Sequence, residues 1–469
     1  MLKVTKNLIE LNYNDKKILM NTMYPRPLVF YKGINNVEKA IKNPNTILNK
    51  KLLDILCTFN ILVSEEPVPK ISQKFCHEGK NNLLLYLLVT QQCNLGCKYC
   101  VGNNPSYMNN YSMNFDVAKM AIEKAAQSML SKGNILVVYF GGEPLLNWSL
   151  IKQCIDYISK LKYKFDVNFK NHITTNMTYL PDDFIEVASN NDISLLIDID
   201  GYASIHDSMR PYPSGKGSYK QIIKNLQRIK KSGIYYELRT TITSHNADKI
   251  DGILDHHYDL SPSACGFPTL IPVNSEGNPI DSELYPNPNI FFKNLKKIFD
   301  KKLFDLSKIR PSNIISTRIF RGEFIVYGCS MILGNKIVVD HIGDAYPCIY
   351  FIGQNKFNLG NINDKVNPFL QSNCYKNLYL KYKDILHVDK IEKCQKCIIR
   401  YFCGGGCSVR MLSLNNQSSE SQKSKDYFFN INCSYAWASV EGAIQYFEKK
   451  AKSDSKYISM SLPNRSSRC

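Results

Sequence analysis

Three cysteines within eight residues, Cys93, Cys97 and Cys100, are the most chemically informative feature of this chain. Their spacing is C-x3-C-x2-C, and they come directly after an apolar run at residues 83–90. Three thiolates can hold three irons of a 4Fe–4S cluster, which leaves the fourth iron without a protein ligand and open to another molecule. The alternative is a structural zinc knuckle, but that needs a fourth ligand close by, and no His or Cys follows within a short loop.

The elements that must position this loop alternate between strand and helix patterns. Strands are predicted at 83–90, 135–140, 167–174, 193–199, 235–242 and 266–271. Helices are predicted at 114–130, 148–161, 181–189, 218–231, 247–258 and 290–304. Repeated strand–helix units predict an α/β fold with a parallel sheet, here a partial (β/α)6 barrel with a TIM-like layout. Because the carboxyl ends of the strands carry the chemistry in such folds, the cysteine loop follows the first strand where a cofactor site is expected.

The rest of the chain is organised around this barrel. Helix patterns at 36–41 and 49–56 followed by a strand pattern at 61–63 predict a small winged-helix-like module near the N-terminus, and paired prolines after it mark a linker. The predicted divisions are the N-terminal peptide-recognition-like module, the barrel, a cysteine-rich domain and a polar tail, at 1–80, 81–306, 307–450 and 451–469.

The composition excludes several classes of protein. The 469 residues include 16 cysteines and carry a formal net charge of +18. We find no apolar stretch of about twenty residues for a membrane span and no secretory signal, so we expect a cytoplasmic protein whose clustered cysteines bind metal. The lysines are scattered without a nucleic-acid-binding motif, so no nucleic-acid partner is expected. Their charge is either a compositional bias over solvated surfaces or an attraction for an acidic partner.

Polar motifs follow the predicted strands in a definite order. A Gly-Gly-Glu-Pro run at 141–144 follows the second strand, a Thr-Thr-Asn run at 174–176 ends the third, and an Asp-Ile-Asp-Gly run at 198–201 ends the fourth. Together with the cysteine loop, this order resembles the radical S-adenosylmethionine (SAM) superfamily, in which SAM fills the open iron position. The resemblance implies that SAM is bound by Tyr99, Gly141, Gly142, Glu143, Asn176, Asp200 and Arg210.

Two of these residues have side chains suited to a defined contact. Within the resemblance, Glu143 accepts hydrogen bonds from the amino group of SAM, and the Arg210 guanidinium pairs with the SAM carboxylate. Taken singly, each has a plainer explanation. Gly-Gly-Glu-Pro is a common turn sequence, and Arg210 could form only a surface salt bridge.

A second array, of seven cysteines, begins at Cys329 and resembles the SPASM domain of radical SAM peptide maturases cysteine for cysteine. The resemblance implies two auxiliary 4Fe–4S clusters, and therefore three clusters in all. The ligands that it implies for the complete auxiliary cluster are Cys394, Cys397, Cys403 and Cys433. Those that it implies for the other auxiliary cluster are Cys329, Cys348 and Cys407. A pair of zinc ribbons is the alternative for this array.

Two differences from the sulfatase-maturing members of the family limit which reaction is expected. Those members place one more cysteine soon after the first of the seven, but residues 330–340 contain none, so this cluster keeps an open iron unless Cys374 completes it. They also carry an aspartate, proposed as a general base, directly after the second cysteine. Here Ile349 follows Cys348 and cannot take a proton, which disfavours sulfatase maturation. Asp340 and Asp344 lie nearby in sequence, without an assigned role.

Six cysteines remain outside both arrays: Cys57, Cys76, Cys154, Cys265, Cys374 and Cys469. We expect Cys57 and Cys154 to be buried among apolar residues of helices. Cys265 begins the predicted sixth strand near the expected cavity, so it is either a core residue or a catalytic hydrogen donor.

The combined features predict a radical SAM oxidoreductase acting on a ribosomally made, cysteine-containing precursor peptide with a leader. A 5′-deoxyadenosyl radical would remove a hydrogen atom from a peptide carbon, and attack on a cysteine sulfur at the open auxiliary iron would form a thioether crosslink. A flavodoxin- or ferredoxin-like protein is the expected electron donor. The alternatives are carbon–carbon or carbon–oxygen crosslinks or side-chain oxidation by the same radical, and, from another class, a non-catalytic zinc protein.

Overall fold

The computed structural model of the chain describes residues 2–13, 16–47, 49–71, 80–100, 111–161, 164–271, 280–300, 308–310, 312–365, 369, 373–412 and 419–453. No helix in these ranges is both long and apolar enough to cross a bilayer.

A three-stranded antiparallel sheet opens the chain and packs on two sides. The N-terminal elements are β1 (Lys3–Val4), β2 (Leu8–Tyr13), β3 (Lys16–Asn21), β4 (Tyr24–Phe30), α1 (Ile34–Lys42), α2 (Lys50–Thr58) and β5 (Leu62–Val63). Strands β2, β3 and β4 form the sheet, and β1 pairs with β5. Because side chains alternate along β3, Leu19 packs with Val37 and Leu56 of the helices, whereas Ile18 and Met20 join the main core.

The sequence predicted part of this module. Both helices and the final strand are confirmed within a few residues, whereas β2 and β3 were not predicted. The winged-helix resemblance of the module stays a prediction.

One large sheet positions the cysteine loop. Its strands are β6 (Lys80–Thr90), β7 (Met129–Gly141), β8 (Val167–Thr175), β9 (Ser194–Asp198), β10 (Tyr236–Arg239), β11 (Ala264–Gly266), β12 (Ile309–Arg310), β13 (Lys336–Val339) and β14 (Ala345–Tyr346). Their order is β12-β11-β10-β9-β8-β7-β6-β13-β14. Every pair from β12 to β13 is parallel, and only β13 and β14 are antiparallel. The carboxyl ends of β6 to β11 therefore meet at one edge.

Helices connect these strands in the order that the sequence predicts. They are α3 (Phe115–Gln127), α4 (Trp148–Leu161), α5 (Phe184–Asn190), α6 (Ala203–Met209), α7 (Tyr219–Ser232), α8 (Ile250–Asp259), α9 (Pro288–Asp300) and α10 (Ser312–Arg321). The α/β class and the partial parallel barrel are confirmed. The predicted sixth strand at 266–271 begins too late, because β11 starts at Ala264. Beyond Gly266 the parallel pairing continues only as an isolated bridge between Thr269 and Ile242, since Pro268 has no N–H to donate to a ladder.

Short helices follow between the C-terminal cysteines, and a long helix closes the chain. They are α11 (Asn373–Leu386), α12 (Glu392–Gln395), α13 (Arg400–Cys403), α14 (Ser408–Leu412) and α15 (Ser419–Ser453). Helix α15 packs on α9 and α10, so the cysteine-rich part lies directly against the barrel.

Candidate active site

The cysteine loop follows β6 and is fixed by backbone hydrogen bonds to the segment after α6. The Gly96 N–H donates to the Pro211 carbonyl over 2.7 Å, and the Lys98 N–H donates to the Met209 carbonyl over 3.0 Å. These bonds join the loop to a different strand–helix unit of the barrel. The three cysteines of the loop consequently line one cavity: Cys93, Cys97 and Cys100.

Gly141 and Gly142 are required because the chain packs closely against itself. A Cβ atom at Gly141 would lie 2.0 Å from the Thr90 carbonyl oxygen, and one at Gly142 would lie 2.3 Å from the Gln92 carbonyl oxygen. The Gly142 N–H also donates to the Thr90 carbonyl over 2.8 Å. The end of β7 can therefore lie on the start of the cysteine loop, and both glycines line the cavity.

The Glu143 carboxylate is fully buried behind these glycines and does not itself line the cavity. It accepts hydrogen bonds from the Leu145 N–H (3.1 Å), the Thr175 hydroxyl (2.7 Å) and the Asn176 N–H (2.7 Å). Burial raises the pKa of Glu143 to about 7 in spite of these donors. The side chain thus joins the ends of β7 and β8, and its contact with SAM stays a prediction.

Asn176, at the end of β8, reaches the cysteine loop. Its amide nitrogen lies 3.8 Å from the Cys93 sulfur and donates to the Asn94 side-chain oxygen over 3.0 Å. Its amide oxygen accepts from the Thr178 N–H over 2.9 Å, which fixes the orientation of the amide. The cavity is therefore bounded on this side by a polar side chain that touches the first cysteine of the loop.

Two arginines share one buried carboxylate at the ends of β9 and β10. The Asp198 carboxylate accepts from Arg239 Nε (2.6 Å) and Nη2 (2.9 Å) and from Arg210 Nη2 (3.0 Å). Burial raises the pKa of Asp198, but the two guanidiniums outweigh it and hold the pKa below its usual value. Arg210 is only 6% exposed, so the surface salt-bridge alternative for Arg210 is wrong.

Tyr99 connects the cysteine loop to the same charged group. Arg210 Nη1 donates to the Tyr99 hydroxyl over 2.7 Å, and that hydroxyl donates to the Asp200 carboxylate. The Asp200 carboxylate also accepts from the Thr241 N–H over 3.0 Å. The structure thus brings Tyr99, Asp200 and Arg210 together, and Arg210 is also paired with Asp198. The predicted contact of these residues with SAM stays a prediction.

A single cavity of about 640 Å³ extends from this group to the cysteine-rich domain. Three auxiliary cysteines also line it: Cys329 and Cys407, predicted to hold the open auxiliary cluster, and Cys403, predicted for the complete one. Ile349 and Tyr350, on the turn after Cys348, line the wall between the two cysteine sets. The barrel site and the auxiliary site therefore face one continuous space.

The auxiliary cysteines are brought together by a run of three glycines. Gly404, Gly405 and Gly406 all have positive φ, and a Cβ atom at Gly404 would lie 2.5 Å from the Gly328 nitrogen. The loop between Cys403 and Cys407 can therefore lie on the residue before Cys329. The four cysteines predicted for the complete cluster line a second, smaller cavity: Cys394, Cys397, Cys403 and Cys433.

The donor set fits iron–sulfur clusters. Burial raises the pKa of Cys97 to about 12 and that of Cys348 to about 11, so these thiols ionise only when a metal binds them. Within the described ranges, no three His, Cys, Asp or Glu side chains converge on a single metal ion. All cysteines of the two arrays except Cys348 line one of the two cavities.

Several residues considered from the sequence lie outside the site. Cys154 and Cys265 are buried in the core, and neither lines the cavity, so the hydrogen-donor alternative for Cys265 is unsupported. The Asp340 carboxylate is used in its own turn, where it accepts from the Ile342 and Asp344 N–H groups. Cys76, Cys469 and the side chain of Cys374 lie outside the described part of the chain.

Sequence reasoning missed several cavity-lining residues, among them Arg239, Tyr350 and Arg410. Arg239 ends a strand, which is a usable signal, since polar residues at strand ends of this fold face the site. Tyr350 and Arg410 follow cluster cysteines by two and three residues. Which of the residues beside a cysteine faces the cavity depends on the turn, and the sequence does not specify it.

Comparison with known proteins identifies both cysteine regions. Residues 87–256 match the radical SAM superfamily, and residues 329–398 match SPASM, an iron–sulfur cluster-binding domain. An uncharacterized protein of Methanocaldococcus jannaschii is 32% identical over 284 residues, which make up 60% of this chain and 89% of that protein. A cysteine-type anaerobic sulfatase-maturating enzyme of Clostridium novyi is 25% identical over 349 residues, 70% of this chain and 88% of the enzyme.

Two solved structures share the fold. Native anSMEcpe with bound AdoMet (SAM) superposes with a TM-score of 0.62 at 19% identity, covering 76% of this chain and 99% of that one. Streptococcus suis SuiB bound to the precursor peptide SuiA superposes with a TM-score of 0.54 at 15% identity, covering 89% of this chain and 98% of that one. The chain therefore belongs to the radical SAM superfamily, as a radical enzyme with a SPASM domain that uses SAM and 4Fe–4S clusters as cofactors.

Proposed function

We propose that this enzyme forms thioether crosslinks in a ribosomally made peptide that contains cysteine. The observation that supports this most directly is the continuous cavity that is lined by Cys93, Cys97 and Cys100 of the barrel and by Cys329 and Cys407, two of the three cysteines predicted for the open auxiliary cluster. A cluster with three cysteine ligands has one open iron, so the barrel site can take SAM and the auxiliary site can take a peptide thiolate. A peptide residue in the cavity is then next to both.

The cofactors carry the radical step, and the chain supplies position. When bound, the clusters and SAM supply a 5′-deoxyadenosyl radical that takes a hydrogen atom from carbon, and an acceptor for the electron left when carbon and sulfur join. Arg210, with its charge shared by Asp198, provides a cation at the barrel end of the cavity. Gly141 and Gly142 place backbone at the same end.

The residue directly after Cys348, where sulfatase-maturing members have their proposed base, is apolar here, which is consistent with this reaction. Ile349 lines the cavity directly after Cys348, where the sulfatase-maturing members that the sequence resembles have an aspartate. A thiolate already bound to iron needs no side-chain base, because the metal has displaced its proton. An apolar residue there is compatible with carbon–sulfur bond formation.

Side-chain oxidation of a protein substrate is the second candidate. It is favoured by the similarity to sulfatase-maturating enzymes, which extends over 70% of this chain. The two reactions differ in their need for a substrate thiol and a base. The substrate therefore distinguishes them more clearly than the fold does.

The N-terminal sheet is the proposed site for the leader of the peptide. Extended peptides commonly bind by adding a strand to the edge of a sheet, and β2 and β4 are the edges of this one. Deletion of residues 1–75 should abolish binding of the full precursor but leave reductive SAM cleavage intact. Unchanged precursor affinity in fluorescence anisotropy would contradict this role.

The reaction is tested with the short peptides encoded beside the gene and anaerobically reconstituted enzyme. We expect the product to lose a pair of hydrogen atoms per crosslink and to resist alkylation at the linked cysteine, as read by tandem mass spectrometry. A Cys348→Ala variant should still release 5′-deoxyadenosine but form no crosslink. If a peptide with its cysteines changed to alanine loses the same hydrogens, the thioether assignment is wrong and oxidation is favoured.

A further inference from the structure

Tyr350 lies between the two halves of the cavity. It sits on the single turn Ile349–Phe351 that directly follows the auxiliary ligand Cys348. Its side chain lines the same space as Cys329 and Cys407. A phenol at this position can reach a molecule held at the auxiliary site.

The Tyr350 hydroxyl has no hydrogen-bond partner within the described part of the chain. Tyr350 is half-buried and lines the cavity, so its hydroxyl is available to a molecule bound there. Tyr346 makes a useful contrast, since it precedes Cys348 by two residues just as Tyr350 follows it by two. Tyr346 is 2% exposed, packs with Leu88 and Val338, and does not line the cavity.

The cavity wall around Tyr350 is positively charged. Arg239 is held there by Asp198, and Arg410 is held by the carbonyl groups of Thr269 and Leu270. Arg410 has no carboxylate partner among the described residues. Two fixed guanidiniums and an unpaired hydroxyl on one wall favour a negatively charged acceptor.

We propose that the Tyr350 hydroxyl donates a hydrogen bond to the substrate cysteine sulfur held at the auxiliary site. This inference rests on the proposed function, because the acceptor is the thiolate that the open iron would bind. Arg239 and Arg410 act on the same sulfur through their charge. Tyr350 is then a substrate-contacting residue that orients the sulfur toward the barrel.

The test uses small thiols and needs no knowledge of the natural peptide. The full chain carrying Cys93→Ala, Cys97→Ala and Cys100→Ala lacks the barrel cluster, so the remaining open iron is auxiliary. N-acetylcysteine amide is titrated into this protein and into the same protein with Tyr350→Phe or Tyr346→Phe. N-acetylserine amide serves as the ligand control. Binding is read from the shift in visible circular dichroism and in the electron paramagnetic resonance spectrum of the reduced clusters.

We expect Tyr350→Phe to weaken thiol binding about tenfold, as for loss of a hydrogen bond to a charged acceptor, and Tyr346→Phe to leave it unchanged. Iron should stay at about eight atoms per chain in each variant, which shows that both auxiliary clusters have assembled. Equal affinity with and without the Tyr350 hydroxyl would overturn the inference while leaving the proposed function standing. If the thiol causes no spectral change that the serine compound lacks, both are overturned.

Discussion

The residues of the site are of two kinds: cysteines predicted to bind clusters, and glycines that allow the backbone to pack closely. The cysteines could be identified from type and spacing, because a cluster needs thiolates at short, fixed intervals. Gly141 and Gly142 were predicted to contact a ligand. The structure shows that they are also needed for backbone packing, because the Thr90 and Gln92 carbonyls occupy the space that a side chain would fill. Such packing between two strand ends has no local signature in sequence.

Gly142→Ala should therefore disturb the barrel cluster alone. The added methyl group would displace the Gln92 carbonyl and with it the turn that carries Cys93. We expect iron to fall from about twelve to about eight atoms per chain, with loss of SAM cleavage. Gly266→Ala is the matched control, because its Cβ would meet nothing nearer than 3.8 Å. A Gly142→Ala protein with full iron content and normal SAM cleavage would refute this explanation.

Local sequence patterns predict most strands of the barrel, but they do not predict strands β3 and β13. Apolar runs predicted β6 to β9 well, because these strands are buried on one or both faces. Strand β3 was missed because it begins with two lysines, and Lys17 is tolerated there only through Glu10 and Glu38. Strand β13 pairs with β6, although the whole barrel separates the two strands in sequence. A local sequence pattern cannot predict a pairing between segments so far apart.

A histidine of helix α6 should make the stability of the fold depend on pH. The buried His206 accepts from the Asp200 N–H over 3.2 Å, and its other ring nitrogen contacts the Ser218 hydroxyl over 3.0 Å. Burial lowers the pKa of His206 to about 3, so between about pH 6.5 and 3 the unfolded chain holds a proton that the folded chain lacks. The stability from neutral His206 is therefore complete above pH 6.5 and is lost as the pH falls, by up to about 1.4 kcal/mol per pH unit.

His206→Gln should reduce this acid sensitivity, because an amide can make both hydrogen bonds and does not titrate. We expect the thermal midpoint of the variant to fall less between pH 6.5 and 5 than that of the wild type, as measured by calorimetry. His245→Gln, at an exposed position, should keep the wild-type dependence. Identical pH profiles for His206→Gln and wild type would show that His206 is not the group responsible.

At the scale of the whole molecule, Arg410 joins the cysteine-rich domain to the barrel. It follows Cys407 by three residues, is 6% exposed, and donates through Nη2 to the Thr269 carbonyl (2.6 Å) and the Leu270 carbonyl (3.0 Å). Its Nη1 donates to Asn432, the residue before Cys433. One guanidinium thus connects both auxiliary cysteine groups to the last part of the barrel.

Arg410→Lys should loosen that connection while keeping the charge, because an ammonium cannot reproduce the planar fork of donors. We expect crosslinked product per 5′-deoxyadenosine released to fall several-fold, with iron unchanged. The free energy of unfolding, measured in urea, should fall by about 2 kcal/mol because the carbonyl groups are left without a donor. Arg321→Lys, on the exposed face of α10, is the control. A wild-type product ratio in Arg410→Lys would contradict the joining role.

The size of the cavity limits how a long substrate can be processed. A space of about 640 Å³ suits one drug-sized ligand, and SAM alone takes much of it. If SAM occupies part of this space, we expect only a residue or two of a peptide substrate to enter beside it, with the remainder of the peptide outside during each turnover. A peptide with several rings would then be finished by repeated withdrawal and re-insertion, and partly modified forms should accumulate in ordered succession.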